Sequence, residues 1–346
     1  MGCSCVLNYF ENDFDVERIK EIMNRIKTNP NLLKLITYFQ SLFRGYIFRK
    51  KFYNLTKLPN GFSFSDKTLK FKNPFLKLIT YEEYIYLKNL YPPLSDNIPT
   101  IFLPNVEYQN KSEFLGEWNV ETGKRHGRGI QKWLDGSKYE GYFTNDKANI
   151  QGKLTHPNKD VYEGEWVDDK AQGFGIYTHV DGSRYEGYWK DDKQSGRGIE
   201  TWPDKTTYEG NFSNGMKNGY GKFIWKNGSC YEGEFKDNYI EGKGTYIWDD
   251  NRKYTGSWKK NEMDGYGVFS WPDGRRYEGE YKNDKKEGYG TFYWTNGRIY
   301  KGEWKNGKQH GIGEVFNNDS NKWRKAYWEE GKKIKWIDSA EDSNIL

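Results

Sequence analysis

Four histidines, His126, His156, His179 and His310, are where acid–base catalysis or a metal ion would first be sought. A metal needs several donors converging on one point, and general acid–base work needs an imidazole beside a second polar group. His156 and His179 instead fall in a column held elsewhere by Trp202, Trp225 and Trp271, while His126 and His310 each precede a Gly-x-Gly pair. All four are periodic positions on separate repeats, which favours a structural role.

Other short patterns fail on chemistry. Gly302 to Lys308 has the spacing of a phosphate loop, but Gln309 stands where a hydroxyl should bind magnesium, and its glycines are periodic ones. Asp191 to Gly196 imitates the start of a calcium loop, yet Lys193 and Trp202 occupy two ligand positions. Glu163, Glu186, Glu209, Glu232 and Glu278 recur as a column, better read as a solvated stripe than as paired catalytic acids. No cofactor and no metal are expected, and the chain is read as non-enzymatic.

The elements behind these columns are repeats. An aromatic-x-Gly-x-aromatic phrase starts at Tyr139, Tyr162, Tyr185, Tyr208, Tyr231, Tyr254, Tyr277 and Tyr300, always 23 residues apart. An earlier copy starts at Phe114, and a worn one at Arg324, where Ala326 replaces the glycine. Fixed-period self-similarity with atypical end copies marks a repeat array. Within each copy, Tyr162, Gly164 and Trp166 share one face of a strand by period-two alternation. A second strand, Gly173 to His179, follows, and Asp181-Gly182 predicts a tight type I′ turn into the next copy, as do Asp135-Gly136, Asn227-Gly228, Asp273-Gly274 and Asn296-Gly297. Asn158-Lys159, Asp204-Lys205 and Asp250-Asn251 replace that signal, so looser turns are expected there; Ile150 replaces the first glycine of one Gly-x-Gly pair.

The expected fold is mainly β: an elongated single-layer antiparallel sheet of hairpins, ten repeats giving a strongly twisted rod on the order of 95 Å long. The composition agrees, with 18% aromatic residues and 38 glycines against only 35% hydrophobic residues overall. The Tyr-Glu-Gly-x-Trp phrase, the Gly-x-Gly, the aromatic and the Asp-Gly at a 23-residue step resemble the MORN repeat family over residues 111–331. The resemblance implies hairpin sheets that serve as scaffolds in cytoskeletal and membrane-contact assemblies. Family enzymes carry a kinase or methyltransferase domain beside the repeats, and no such domain fits here.

A single layer cannot bury both faces. The ladder of Trp133, Trp202, Trp225, Trp248, Trp271 and Trp294, flanked by Tyr208, Tyr231, Tyr254 and Tyr277, is therefore expected to form a partner groove for an extended segment or helix, over and above its packing role.

The front of the chain carries a second signal. Residues 15–28 have the spacing of a short amphipathic helix, and a longer helical run follows Asn29-Pro30. Within residues 39–52, Phe39, Gln40, Arg44, Gly45, Arg49 and Phe52 resemble the IQ motif, which implies a helix gripped by calmodulin or a calmodulin-like light chain. Phe39, Phe43, Ile47 and Phe52 would supply apolar anchors, and residues 31–60 contain no acidic residue to oppose an acidic partner. The competing reading is a helix that merely caps the first repeats. Residues 55–110, punctuated by prolines, are read as a linker and edge cap with a short helix near 80–90, and residues 332–346 as a tail.

Gly2, Cys3 and Cys5 could carry a myristoyl and palmitoyl groups, although Val6 stands where Ser or Thr is wanted; one acyl chain holds weakly and two hold stably. The three cysteines are too few for a disulfide framework, and no apolar run reaches the roughly 18 residues that span a bilayer. A net charge of +5 gives no nucleic-acid signature. The expectation is a cytoplasmic scaffold that binds partner proteins and recruits a calmodulin-like protein. Its setting is a cilium, as in radial-spoke-like proteins of the axoneme, or the cytoplasmic face of a membrane. The alternative is a regulatory or targeting subunit of a separate enzyme such as a lipid kinase.

Overall fold

The computed structural model describes residues 70–71, 77–318 and 320–337. They form one open antiparallel sheet of 22 strands and a single helix. Every strand pairs with the next in sequence, so the chain is a continuous meander. The sheet extends past both ends of 111–331: β2 (Thr100–Glu107) pairs with β3 (Glu113–Asn119), and β22 (Lys332–Ile337) closes the far edge.

One repeat shows how the sequence makes this layer. In β7 (Val161–Val167), Tyr162, Gly164 and Trp166 point to one face; in β8 (Lys170–Thr178), Gly175 faces Gly164 across the ladder. Gly175 also faces Gly187 of β9 (Arg184–Lys190), so the glycines run in an unbroken row from Gly116 to Gly313, where Ala326 ends it. Each tyrosine ring lies over this row: a Cβ on Gly164 would stand 2.5 Å from the Gly175 backbone and 2.7 Å from the Tyr162 hydroxyl. The hydroxyl donates to a carbonyl three residues on, Tyr162 to Glu165 at 2.9 Å, so the buried polar tip is satisfied. Phe114 takes this column in the first repeat.

The core is an edge-to-face aromatic ladder. Tyr162 meets Trp166 at 5.1 Å and 87°, and Trp189 of the next repeat at 5.1 Å and 81°. The same pair of contacts recurs to Tyr300, which meets Trp304 and Trp328. Such pairs add about 0.5–1.5 kcal/mol each beyond area burial.

The turns differ from expectation. The two-residue connections with both central residues at positive φ lie inside each repeat from Tyr139 onward, as at Asp168 (φ 50) and Asp169 (φ 69), not at Asp-Gly. At Asp181-Gly182 the loop has three residues: His179 N–H donates to the Ser183 carbonyl, Gly182 N–H donates to the His179 carbonyl, and only Gly182 has positive φ. That is a type I turn closed by a glycine bulge, which needs one left-handed residue rather than two. Lys159 (φ 75), Lys205 (φ 73) and Asn251 (φ 63) adopt the glycine's conformation and make the same closing bonds, so those turns are not looser. Ile150 likewise keeps the glycine's left-handed backbone, at φ 67.

The turns also fasten neighbouring repeats. Ala148 N–H donates to the Asp169 carboxylate at 2.7 Å while Asp169 N–H donates to the Ala148 carbonyl at 2.9 Å. Ala171 and Asp192 repeat the exchange one period later.

The helix α1 (Lys77–Leu90) covers a face rather than an edge. Leu87 and Tyr91 pack on Leu115, Ile130 and Tyr142, which belong to β3, β4 (Arg125–Lys132) and β5 (Lys138–Thr144) and sit on the side away from the tyrosine column. Both faces of these strands are consequently buried. Tyr142 donates to the Pro92 carbonyl at 2.6 Å, His126 Nε2 meets Asp96 at 2.7 Å, and a buried Arg128–Glu117 pair lies beneath. The first edge is occupied by β2 and by β1 (Lys70–Phe71).

Candidate protein-binding face

Beside the buried ladder runs a second one. Trp202, Phe223, Trp225, Tyr246, Trp248, Phe269, Trp271, Phe292 and Trp294 follow one another with ring centroids 4.4–5.7 Å apart, tilted 36–54°. Each tryptophan opens a three-residue turn; Trp225 N–H donates to Ser229 and accepts at its carbonyl from Gly228. The turn holds the indole at the rim of the sheet, so all five stay half-buried against the core. Guanidinium groups stack on the later indoles: Arg252 over Trp248, Arg275 over Trp271 and Arg298 over Trp294, at 5.0–5.5 Å. The strip combines aromatic surface with cations already in place.

A repeat profile decides what this array is. The MORN repeat matches at residues 122–138, 139–161, 162–184, 185–207, 208–230, 231–251, 254–275, 277–297 and 300–317. The chain belongs to the MORN repeat family. Nine copies are matched; the sheet itself carries the pattern further at both ends. Alsin from Mus musculus is 35% identical over 68 residues, 20% of this chain and 4% of alsin, and alsin from Homo sapiens matches to the same extent. The chain thus spans a small fraction of the curated relatives it matches. Among solved structures, the TCP10 domain of Danio rerio CPAP in complex with a STIL peptide aligns with 11% identity and a TM-score of 0.38, covering 70% of this chain and 100% of that one. A likeness at that level carries no argument.

The MORN array separates the groove residues expected from sequence into two sets. Trp202, Trp225, Trp248, Trp271 and Trp294 are partly open. Tyr208, Tyr231, Tyr254 and Tyr277 are fully buried, because the glycine row lets their rings lie flat on the backbone beneath the next repeat's aromatic. They form the floor, not a contact surface. Trp133 is 39% exposed, and His156 and His179 fill the column between it and Trp202.

The chemistry-bearing columns have structural partners. His179 Nδ1 meets Asp160 at 3.2 Å, and Tyr177 donates to the same carboxylate at 3.0 Å. Asp160 is 6% exposed and also accepts from Val180 N–H, whose bond holds its carboxyl below the usual range. The cluster has no nucleophile, and it latches one turn to the next. On the opposite face, Glu232 and Glu278 accept from Tyr220 and Tyr266 at 3.1 and 2.9 Å, and Glu186 and Glu209 pair with Arg184 and Arg197. No group of three or more potential metal donors converges among the described residues. No helix there is long and apolar enough to cross a membrane.

Two features escaped sequence reading. Phe174, Tyr220, Tyr266 and Tyr289, the middle residues of Gly-x-Gly, are 41–58% exposed on the face opposite the ladder. Period-two alternation was signal enough for these. The second is a pair of cations in the aromatic layer: Lys286 Nζ stands 4.8–5.4 Å from the centroids of Trp271, Tyr277, Phe292 and Trp304, and Lys217 Nζ stands 5.1 Å from those of Trp202 and Tyr208. The IQ positions Phe39, Gln40, Phe43, Arg44, Gly45, Ile47, Arg49 and Phe52, and the acylation candidates Gly2, Cys3 and Cys5, lie outside the described residues.

Proposed function

We propose that this MORN chain is a non-enzymatic scaffold whose half-open ladder, from Trp202 to Trp294, binds an extended segment or helix of a partner protein. One observation carries the reading: nine aromatic rings run in unbroken contact, and seven of them, all but the buried Phe269 and Phe292, remain partly accessible on a sheet whose core lies beneath them. Aromatic strips of this kind bind with little conformational cost, because their rings are already packed in place.

Replacing Trp248 by a photo-crosslinking amino acid in the full chain tests this, with the same substitution at Tyr266 on the opposite face as control. A discrete protein adduct from position 248 and none from 266 is the expected result. Equal adducts from both faces, or none from the ladder, overturn it.

The IQ-like segment at residues 39–52 supplies a second contact in this proposal, recruiting calmodulin or a calmodulin-like light chain. Full-length protein should bind calmodulin in calorimetry, and Phe39→Ala with Arg44→Ala should weaken binding at least tenfold. Absence of binding with and without calcium removes this part. The setting is a ciliary assembly or, if Gly2, Cys3 and Cys5 are acylated, a membrane surface; mass spectrometry of the native N-terminus distinguishes them.

A further inference from the structure

Lys286 fills a socket that recurs along the array. Five periods earlier the same position is Ala171, and the four surrounding rings become His156, Tyr162, Tyr177 and Trp189. The ring-to-ring spacings are kept when the lysine is missing, and Trp166 stands across the ladder from Ala171 where Tyr281 faces Lys286. Tyr162 and Trp189 are 5.1 Å apart, as are Tyr277 and Trp304; Tyr177 and Trp189 are 6.1 Å apart against 6.3 Å for Phe292 and Trp304; His156 and Tyr177 are 5.9 Å apart against 5.6 Å for Trp271 and Phe292. An alanine methyl occupies the place of a four-carbon stem and its ammonium.

The charge at the rim is inverted. Arg275 stands beside Lys286 and opposes its charge. At the matching position of the Ala171 repeat stands Asp160, whose carboxylate touches the wall itself through the Tyr177 hydroxyl at 3.0 Å. His156, Tyr177 and Trp189 are each partly exposed at the rim, above a buried Ala171. The neighbouring Ala148 position lacks these features, with Leu154 in place of a wall ring and Ser137 in place of the acid.

We propose that the Ala171 socket takes a lysine side chain from a partner protein. The ammonium would lie among the four rings as the chain's own Lys286 does, with Asp160 in place of Arg275 offsetting the burial that disfavours the Lys286 charge. The proposal rests on the reading of this face as a partner groove and adds one addressed position to it.

The test uses full-length protein with labelled tryptophan indoles, titrated with N-acetyl-lysine methylamide at pH 7.5; the neutral norleucine analogue serves as control at matched ionic strength. A saturable shift of the Trp189 indole with the lysine derivative, at least fivefold weaker or absent with norleucine, is expected. Ala171→Lys should abolish it by filling the socket from within, and Asp160→Asn should weaken it severalfold. If Ala171→Lys does not fold, Ala171→Leu closes the same space without charge and should abolish the shift equally. No saturable shift, an equal one with norleucine, or one that survives a filled socket overturns the proposal. A ladder adduct from position 248 alongside such a failure would leave the groove standing and remove only the socket.

Discussion

Tyr208 lies across Gly221 so closely that a Cβ on the glycine would stand 2.5 Å from the phenol oxygen. The ring is buried at 0% exposure and its hydroxyl donates to the Asn211 carbonyl at 3.0 Å, so it cannot withdraw without loss. Gly221→Ala should therefore destabilise its repeat by about 3 kcal/mol, the upper end of what overpacking typically costs. Gly228 has open space around it and only a left-handed φ of 89° to protect, so Gly228→Ala should cost about 1 kcal/mol. Hydrogen exchange, resolved repeat by repeat, is the proper measurement, because repeat arrays need not unfold in two states. Equal losses of protection at the two sites would contradict the close-contact account.

Tyr208→Phe separates the ring from its hydroxyl. The edge-to-face contacts with Phe212 and Phe235 remain, and one buried hydrogen bond goes. The expected cost is about 0.5–1.5 kcal/mol. Phe114 shows that the column tolerates the change. A loss above ~3 kcal/mol in denaturant unfolding would mean that the hydroxyl bears more than one bond's worth of stability.

Trp258 and Trp248 belong to the two ladders and should respond differently to truncation. Trp258 is 7% exposed and donates from its indole to the Gly244 carbonyl at 3.3 Å. Trp258→Ala should cost about 3–5 kcal/mol. Trp248, half-buried at the rim, should cost less than half as much on removal, with its deficit appearing in partner capture instead. Acrylamide should quench single-tryptophan variants at 248 more strongly than those at 258; the reverse order would count against an open strip.

Lys286 makes stability depend on pH. Burial, aided by Arg275, brings its ammonium down to about 8 from the ordinary 10.5. The folded state therefore disfavours the charged form: the penalty is complete below pH 8, fades as pH rises through 8, and vanishes above 10.5. A shift of this size corresponds to ~3 kcal/mol before the ring contacts offset part of it. Met263 holds the same position one repeat earlier, so Lys286→Met should fold and stabilise by ~1–3 kcal/mol at pH 7. The gain should shrink between pH 8 and 9.5, measured by denaturant midpoints. Higher pH is unsuitable, since burial raises the phenol groups of Tyr231, Tyr254 and Tyr277, and an unfolded chain that ionises near 10 is then favoured. A gain that does not vary with pH would mean that Lys286 is not buried as a cation.

The period of 23, with alternating aromatics and glycines and a turn signal in each copy, made the sheet legible in the sequence, because two short strands and their turns fill that step. What sequence concealed follows from local chemistry. Asp181-Gly182 has the residues of a type I′ turn, yet a single left-handed glycine serves a three-residue loop equally well; the two-residue turns fell on Asp168-Asp169, whose aspartates signal them far less sharply. Tyr208 and its equivalents look like surface aromatics until the glycine pairs are laid side by side. Only that register shows the slot that buries them. Helix α1 was foreseeable as an element but not its seat, because Leu115, Ile130 and Tyr142 betray an apolar patch only once they share a face.

That seat gives the array a front and a back. Helix α1 covers the first strands on one side alone, and nothing equivalent among the described residues covers the last ones. A row of near-identical units would otherwise offer a partner many indistinguishable landing places. With one end marked, and with Ala171, Lys217 and Lys286 breaking the uniformity between, each repeat has an ordinal address, and a long partner of the kind proposed would have one preferred polarity along the sheet.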